Sequence, residues 1–96
     1  MIVAEKGKIV GFCAFHQDWL DHLYILPEFQ GKGIGSTLLN KAKETHSELQ
    51  LWVFQKNEEA RKFYESKGFV LVEKTDGSSN EEKEPDARYV WKSDSE

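Results

Sequence analysis

One stretch, residues 23–39, constrains the fold more than any other part of this 96-residue chain. An apolar run ends at Pro27, Gly31, Gly33 and Gly35 follow, and a helical pattern begins at once. These glycines leave backbone N–H groups bare of side chains where the helix starts, at the positive end of its dipole. The stretch therefore predicts a strand, a tight turn and a helix, with a turn that is able to hold a phosphate group.

Size, charge and cysteine content limit the classes of protein to which this chain can belong. Ninety-six residues, 39% of them hydrophobic, predict a single small domain over residues 1–96. A formal net charge of -4 argues against a nucleic-acid or anionic-membrane partner, and no apolar run is long enough to span a bilayer. Because Cys13 is the only cysteine, no intrachain disulfide can form, and we expect a cytoplasmic location.

Short hydrophobic runs predict six strands. Met1–Glu5 and Ile9–His16 flank a Lys-Gly turn and predict a β-hairpin. The other four predicted strands are Leu20–Leu26, Leu49–Phe54, Val70–Lys74 and Ala87–Lys92. In the Leu49–Phe54 strand, we expect Trp52 to belong to the core.

Strict alternation predicts the two faces of the third strand. One face would carry Asp21, Leu23 and Ile25. The other would carry Leu20, His22, Tyr24 and Leu26.

Helical periodicity predicts two helices. The first begins near Ile34 with an apolar stripe of Ile34, Leu38, Leu39 and Ala42, and it ends before His46, which we expect to be a solvated loop residue. The second begins at Asn57, a good N-cap, and ends at Gly68. Its single face would comprise Ala60, Phe63, Tyr64 and Lys67.

Two segments resemble the motifs of a known enzyme family. Gln30–Gly35, which reads Gln-Gly-Lys-Gly-Ile-Gly, resembles the acetyl-CoA signature of the GNAT superfamily of N-acetyltransferases. Asn57–Phe69 is similar to the family's Asn-x-x-Ala-x-x-Phe-Tyr-x-x-x-Gly-Phe segment. The resemblance implies an α/β fold of the α+β type: a mixed, mostly antiparallel sheet with a central splayed parallel strand pair and two helices.

The resemblance also implies acetyl-CoA as the acyl donor and assigns residues to it. The backbone of the third strand, over Leu23, Tyr24 and Ile25, would bind the pantetheine arm and polarise the thioester carbonyl. A strand N–H directed at a developing oxyanion stabilises it by about 3 kcal/mol. The pyrophosphate would be held by the glycine-rich turn, namely Gln30, Gly31, Lys32, Gly33, Ile34, Gly35 and Ser36.

Three residues of the second motif complete the implied site. Asn57 would hydrogen-bond the pantetheine arm, and the small Ala60 would let the cofactor approach the helix. Tyr64 would donate a hydrogen bond or a proton to the departing thiolate. From the residues alone, a cap for Asn57 and a core position for Tyr64 are the structural alternatives.

The general base is left open by the sequence. Some family members place a glutamate on the strand before the Asn motif, but the matching residue here is Trp52. Other members use a carboxylate on the strand before the pyrophosphate turn, or a chain of waters. Asp21 and His22 lie on that strand, and we favour Asp21 because its predicted face is shared with Leu23 and Ile25.

A polar loop joins the last two strands. It contains Asp76, Ser78, Ser79, Asn80, Glu81, Glu82, Glu84, Pro85 and Asp86. A charge run of this kind is usually a solvated loop. The functional alternative is a lip on the acceptor side that attracts a cationic amine. Residues 93–96 form a short polar tail.

The resemblance predicts an enzyme that transfers acetyl from acetyl-CoA to a primary amine, on a small molecule or a peptide, without a metal. Compared with the family, the chain lacks a first strand and helices that wall the acceptor pocket. A minimal member, a shortened chain, or a partner that supplies the wall would each explain this, and an uncovered hairpin edge favours a homodimer. The alternatives are a non-catalytic acyl-CoA-binding or interaction module and, less favoured, a phosphate-binding domain unrelated to coenzyme A.

Overall fold

The computed structural model describes residues 1–78 and 80–93; Ser79 of the polar loop and residues 94–96 of the predicted tail lie outside the described residues. The described part contains strands β1 (Ile2–Glu5), β2 (Ile9–His16), β3 (Trp19–Ile25), β4 (Glu48–Phe54), β5 (Val70–Lys74) and β6 (Asp86–Lys92), with helices α1 (Ile34–Glu44) and α2 (Glu58–Ser66). The chain forms two compact units. Unit 1 comprises residues 1–49 with Ser93, and unit 2 comprises residues 50–92.

Unit 1 is built on an antiparallel meander in the order β1-β2-β3. The predicted hairpin between β1 and β2 is confirmed, and its turn contains Gly7 at a φ of 77°. This left-handed conformation favours glycine over any residue with a Cβ atom.

Helix α1 packs on all three strands of the meander. Its predicted stripe is confirmed, since Ile34, Leu38, Leu39 and Ala42 are all buried. On the sheet side the buried side chains include Val10, Cys13 and Leu20. Burial raises the pKa of the Cys13 thiol, so this side chain is a packed small hydrophobe with an unreactive sulfur.

The predicted faces of β3 are confirmed from His22 to Ile25 but wrong for Leu20 and Asp21, because the strand contains a β-bulge there. Ala14 pairs with His22 and Phe15 pairs with Leu20, so Asp21 is the extra residue between them. A bulge shifts the alternation of side chains by one position. As a result Leu20 is buried, whereas Asp21, His22 and Tyr24 are exposed and Leu23 and Ile25 are half-buried.

His46 is not the solvated loop residue that the sequence predicts. It is half-buried beyond the end of α1, with Nδ1 2.8 Å from the carbonyl oxygen of Ala42 and Nε2 2.9 Å from that of Gln17. Its ring also meets Phe15 edge-on, at 4.7 Å between centroids. His46 therefore ties the β2–β3 turn to the end of α1.

Unit 2 contains the strand order β4-β6-β5, and α2 packs on β5. One arginine spans the three strands: Arg88 Nε donates to Glu73 on β5 at 2.9 Å, and Arg88 Nη1 donates to Gln50 on β4 at 2.9 Å. Trp52 is not in the core as predicted but is 43% exposed. Leu51 takes the buried face of β4, which leaves its neighbour Trp52 on the opposite face.

Tyr89 is the largest fully buried side chain, and its hydroxyl joins β6 to α2. The hydroxyl donates to Glu65 at 2.7 Å and accepts a hydrogen bond from Arg61 Nε at 3.1 Å. Burial raises the pKa of Tyr89, so the phenol stays neutral and keeps both bonds. The hydrogen bond from Arg61 to Tyr89 in turn raises the pKa of Arg61.

Replacing Tyr89 by Phe should lower the free energy of unfolding by about 1 to 2 kcal/mol, because a buried pair of hydrogen bonds is lost while the ring stays packed. Urea denaturation followed by circular dichroism measures this change. Tyr24→Phe is the matched control, because Tyr24 is 47% exposed and its hydroxyl should contribute less than about 0.5 kcal/mol. Equal effects of the two substitutions would contradict a structural role for the Tyr89 hydroxyl.

Candidate functional site

The glycine-rich turn of unit 1 links β3 to α1. A single 3-10 turn at Pro27–Phe29 starts the reversal, and Gly31 and Gly33 complete it at φ angles of 78° and 83°. Gly33 is the N-cap of α1, and no side chain caps the helix. A Cβ atom at either glycine would meet nothing within 4 Å, so both positions border open space.

Three backbone donors follow these glycines at the start of α1. The first helical hydrogen bond runs from the N–H of Thr37 to the carbonyl of Gly33 at 3.1 Å. Within the described part of the chain, no acceptor is found for the N–H groups of Ile34, Gly35 and Ser36. The exposed Lys32 adds a positive charge next to them. The turn therefore has the chemistry of an anion site, and the predicted residues 30–36 form one continuous element.

The end of β3 presents backbone groups on the edge away from β2. The N–H of Leu26 donates to Val10 of β2 at 2.8 Å. Bonded and non-bonded positions alternate along an antiparallel ladder, so the N–H groups of Leu23 and Ile25 point to the other edge. On that edge Gln30 Nε2 donates to the carbonyl of Ile25 at 3.1 Å. The side chain of Gln30 thus fastens the turn to the strand.

Of the two candidate bases, Asp21 has a defined partner. Its Oδ2 lies 2.6 Å from Nδ1 of His16, across the β2–β3 turn, and both side chains are exposed. His22 is the next residue and is also exposed. The choice of Asp21 over His22 as the base stays a prediction.

The second motif lies on α2 in unit 2. Asn57 is the N-cap as predicted, and its Oδ1 accepts from the N–H of Ala60 at 3.2 Å. Tyr64 is half-buried and makes edge-on contacts with Phe63 at 5.2 Å and Phe69 at 5.4 Å between ring centroids. The two aromatic neighbours limit the directions in which the Tyr64 hydroxyl can point.

Unit 2 also contains a cavity of about 510 Å³ that the sequence did not predict. Its described lining residues are Trp52, Val53, Phe54, Asn57, Thr75, Asn80, Glu82 and Asp86. Trp52, which is exposed on β4, is one of these lining residues. The lining residues thus include two aromatic and two acidic residues.

Hydrogen bonds order the polar loop that forms one wall of the cavity. Asp86 accepts from the hydroxyl of Thr75 through Oδ1 and from Asn80 Nδ2 through Oδ2, the latter at 3.2 Å. Asn80 Nδ2 also donates to the carbonyl of Glu84 at 2.8 Å. A Cβ atom at Gly77, at a φ of 81°, would collide with the backbone of Glu84. These contacts define the conformation of the described part of the loop, although several of its acidic side chains remain exposed.

No group of three or more His, Cys, Asp or Glu side chains within residues 1–78 and 80–93 is arranged to hold a metal ion. The absence of a metal stays a prediction. No described helix has the length and apolar character needed to cross a membrane.

Comparison with known proteins connects these elements to a family. The family described as Acetyltransferase (GNAT) domain matches residues 1–71. The peptidyl-lysine N-acetyltransferase YiaC of Escherichia coli strain K12 is 34% identical over 70 residues, which cover 72% of this chain and 48% of YiaC. An uncharacterized N-acetyltransferase of Archaeoglobus fulgidus is 35% identical over 97 residues, covering 84% of this chain and 65% of that protein. The chain thus spans about half to two thirds of the length of these relatives.

Solved structures confirm the predicted GNAT-like fold. The apo form of YjaB from Escherichia coli has a TM-score of 0.80 at 28% identity, covering 93% of this chain and 60% of YjaB. Arabidopsis thaliana Naa50, in complex with the bisubstrate analogue CoA-Ac-MVNAL, has a TM-score of 0.73 at 28% identity, covering 86% of this chain and 65% of Naa50.

Replacing Asn57 by Ala should lower the free energy of unfolding by about 1 kcal/mol, because the N-cap hydrogen bond to Ala60 is lost. Asn57→Asp should restore most of that stability, since a carboxylate oxygen caps equally well. Thermal and urea unfolding of both variants measure this. If Asn57→Asp were as unstable as Asn57→Ala, the cap would not explain the role of this residue in the fold.

Proposed function

Because this chain belongs to the GNAT acetyltransferase family, we propose that it transfers the acetyl group of acetyl-CoA to a primary amine. The main support for the proposal is the turn between β3 and α1, where three backbone N–H groups have no hydrogen-bond acceptor among the described residues. Residues 30–36 would hold the pyrophosphate, because a helix N-terminus attracts phosphate oxygens through its N–H groups and its dipole. Lys32 would add electrostatic attraction.

The outward backbone groups of β3 support a second part of the proposal. Acetyl-CoA supplies a thioester, whose carbonyl oxygen gains negative charge during attack by an amine. The N–H groups of Leu23 and Ile25 point away from β2 and would bind the pantetheine arm and this oxygen, together with the backbone of Tyr24. Donors fixed in a strand need no reorganisation when the charge develops.

Tyr64 is our proposed donor to the departing thiolate. A thiol has a pKa near 8.5, so a hydroxyl beside the sulfur that donates a hydrogen bond or a proton makes the group easier to expel. The packing of Tyr64 against Phe63 and Phe69 favours this role, because it restricts the ring. Ala60 and Asn57, about one and two helical turns before Tyr64, are the proposed contacts of the pantetheine arm.

The acceptor and the general base complete the proposed reaction. Because YiaC and YjaB of Escherichia coli are peptidyl-lysine N-acetyltransferases, a lysine side chain is the first acceptor to test. Asp21, paired with His16, is the proposed proton acceptor, with His22 as the alternative. A cytoplasmic location and a homodimer remain predictions.

One observation favours a second candidate function, a non-catalytic acyl-CoA-binding module. Trp52 stands where some family members place a catalytic glutamate, so one route to deprotonating the amine is absent. Binding of acetyl-CoA without transfer to any of a panel of amines would support this candidate over the enzyme.

Replacing Gly33 by Ala should weaken acetyl-CoA binding at least about tenfold, because a Cβ atom strains the left-handed turn and enters the space open to phosphate. Calorimetric titration measures the affinity. Gly7→Ala is the matched control, since Gly7 also has a positive φ and open space around it but lies in the β1–β2 hairpin. Undetectable binding by the unchanged protein, or equal losses in both variants, would overturn the role of the turn.

Replacing Tyr64 by Phe should lower kcat by about 100-fold, because general acid catalysis is lost while the aromatic packing is kept. The KM for acetyl-CoA should change little. Steady-state acetylation of a lysine peptide, followed by thiol release, measures both constants. Unchanged turnover would remove Tyr64 from the mechanism.

A further inference from the structure

The cavity of unit 2 has the size of a small-ligand pocket. Its volume of about 510 Å³ falls in the range of roughly 300 to 1,000 Å³ that is typical of such pockets. Every described lining residue belongs to unit 2, to β4, the start of α2, the polar loop or the start of β6.

The charge of the lining selects against anions. Its charged residues are Asp86 and Glu82, and none of the described lining residues is a Lys, Arg or His. The nearby Lys56 is paired with Glu84, through Nζ and Oε1 at 3.1 Å. Across residues 1–78 and 80–93, no cation forms an ion pair with Asp86 or Glu82. The cavity thus offers negative charge that an incoming cation can compensate.

The orientation of Asp86 is set before any ligand binds. Both of its carboxylate oxygens accept hydrogen bonds from neutral groups, the hydroxyl of Thr75 and the amide of Asn80. Neutral donors hold the carboxylate without cancelling its charge. Since Gln55 Nε2 donates to the carbonyls of Thr75 and Asp86, at 2.9 and 3.0 Å, the backbone on both sides of this pair is held as well.

Aromatic surface supplies the other part of the lining. Trp52 and Phe54 lie two residues apart on β4 and share a face of the strand. An indole face attracts an alkylammonium group through its quadrupole and covers the methylenes of an alkyl chain. This apolar surface beside two carboxylates matches an ammonium group on an alkyl stem.

We propose that this cavity binds the acceptor, a primary alkylammonium on an unbranched stem, with Asp86 and Glu82 facing the charge and Trp52 covering the stem. The inference rests on the proposed function, and it names residues that select the acceptor. Asn57 lies in the same lining and is our proposed contact for the pantetheine arm. The same carboxylates disfavour the phosphates of coenzyme A in the cavity, whereas its uncharged pantetheine arm can still contact Asn57.

A pair of ligands that differ only in the amine tests the proposal directly. N-acetyl-lysine methylamide carries the cation, and N-acetyl-norleucine methylamide has the same stem without it. Titrations of the full chain, with and without saturating acetyl-CoA, are followed through the indole N–H resonance of Trp52, assigned with Trp52→Phe. We expect a saturable shift with the lysine compound and at least about tenfold weaker binding of the norleucine compound.

Charge-neutral variants test which residues are responsible. Glu82→Gln and Asp86→Asn should each weaken binding of the lysine compound several-fold and raise its KM, while acetyl-CoA affinity stays unchanged. Glu81→Gln is the matched control, because Glu81 is an exposed acid of the same loop outside the described lining. Glu82 is exposed and forms no ion pair with a described residue, so its substitution tests the charge even if Asp86→Asn disturbs the loop.

Several outcomes would overturn the cavity proposal: no shift with the lysine compound, equal binding of norleucine, or equal losses in Glu81→Gln and Glu82→Gln. Calorimetry with acetyl-CoA on the same samples separates the two proposals. Lysine-compound binding without acetyl-CoA binding would support the cavity and refute the acetyltransferase proposal. Acetyl transfer without preference for the cationic compound would support the acetyltransferase proposal and refute the cavity proposal.

Discussion

The left-handed turn at Gly31 and Gly33 is the constraint on which unit 1 depends. Helix α1 must start a few residues after β3 and still lay Leu38 and Leu39 against the meander. The chain achieves this reversal with two positive φ angles, which cost a residue with a Cβ atom about 1 to 2 kcal/mol each. The same reversal leaves the first amides of α1 without an acceptor in the described protein. Packing and anion binding thus come from one backbone geometry.

The two units offer ligand surfaces of opposite character. The turn of unit 1 presents N–H groups and Lys32, which favour an anion. The cavity of unit 2 presents Asp86 and Glu82 beside Trp52, which favour a cation. An enzyme that joins an anionic acyl donor to a cationic amine benefits when each substrate binds only at its own site. On the proposed function, the opposite charges of these two surfaces would sort the substrates before any chemistry begins.

The incorrect predictions have specific physical causes. The predicted faces of β3 fail at Leu20 and Asp21 because a bulge at Asp21 shifts the alternation, and whether a strand bulges depends on the strand it pairs with. The mostly apolar run predicts a core position for Trp52, yet only one face of β4 is fully buried. The local sequence predicts a solvated His46 because its partners, Phe15 and the carbonyl of Gln17, are about thirty residues away in the chain.

The sequence by itself determined the six strands, the two helices, the buried stripe of α1, the cap at Asn57 and the family. The secondary structure, the stripe and the cap depend on neighbours within about four positions, through glycine conformation, helical periodicity and capping, and each motif that indicates the family is continuous in the chain, so local patterns report them. Tertiary structure decided the bulge at Asp21, the exposure of Trp52 and the cavity wall that Asn80 and Asp86 build. Each of these requires groups far apart in the chain to meet, and a linear pattern contains no information about which distant partners will do so.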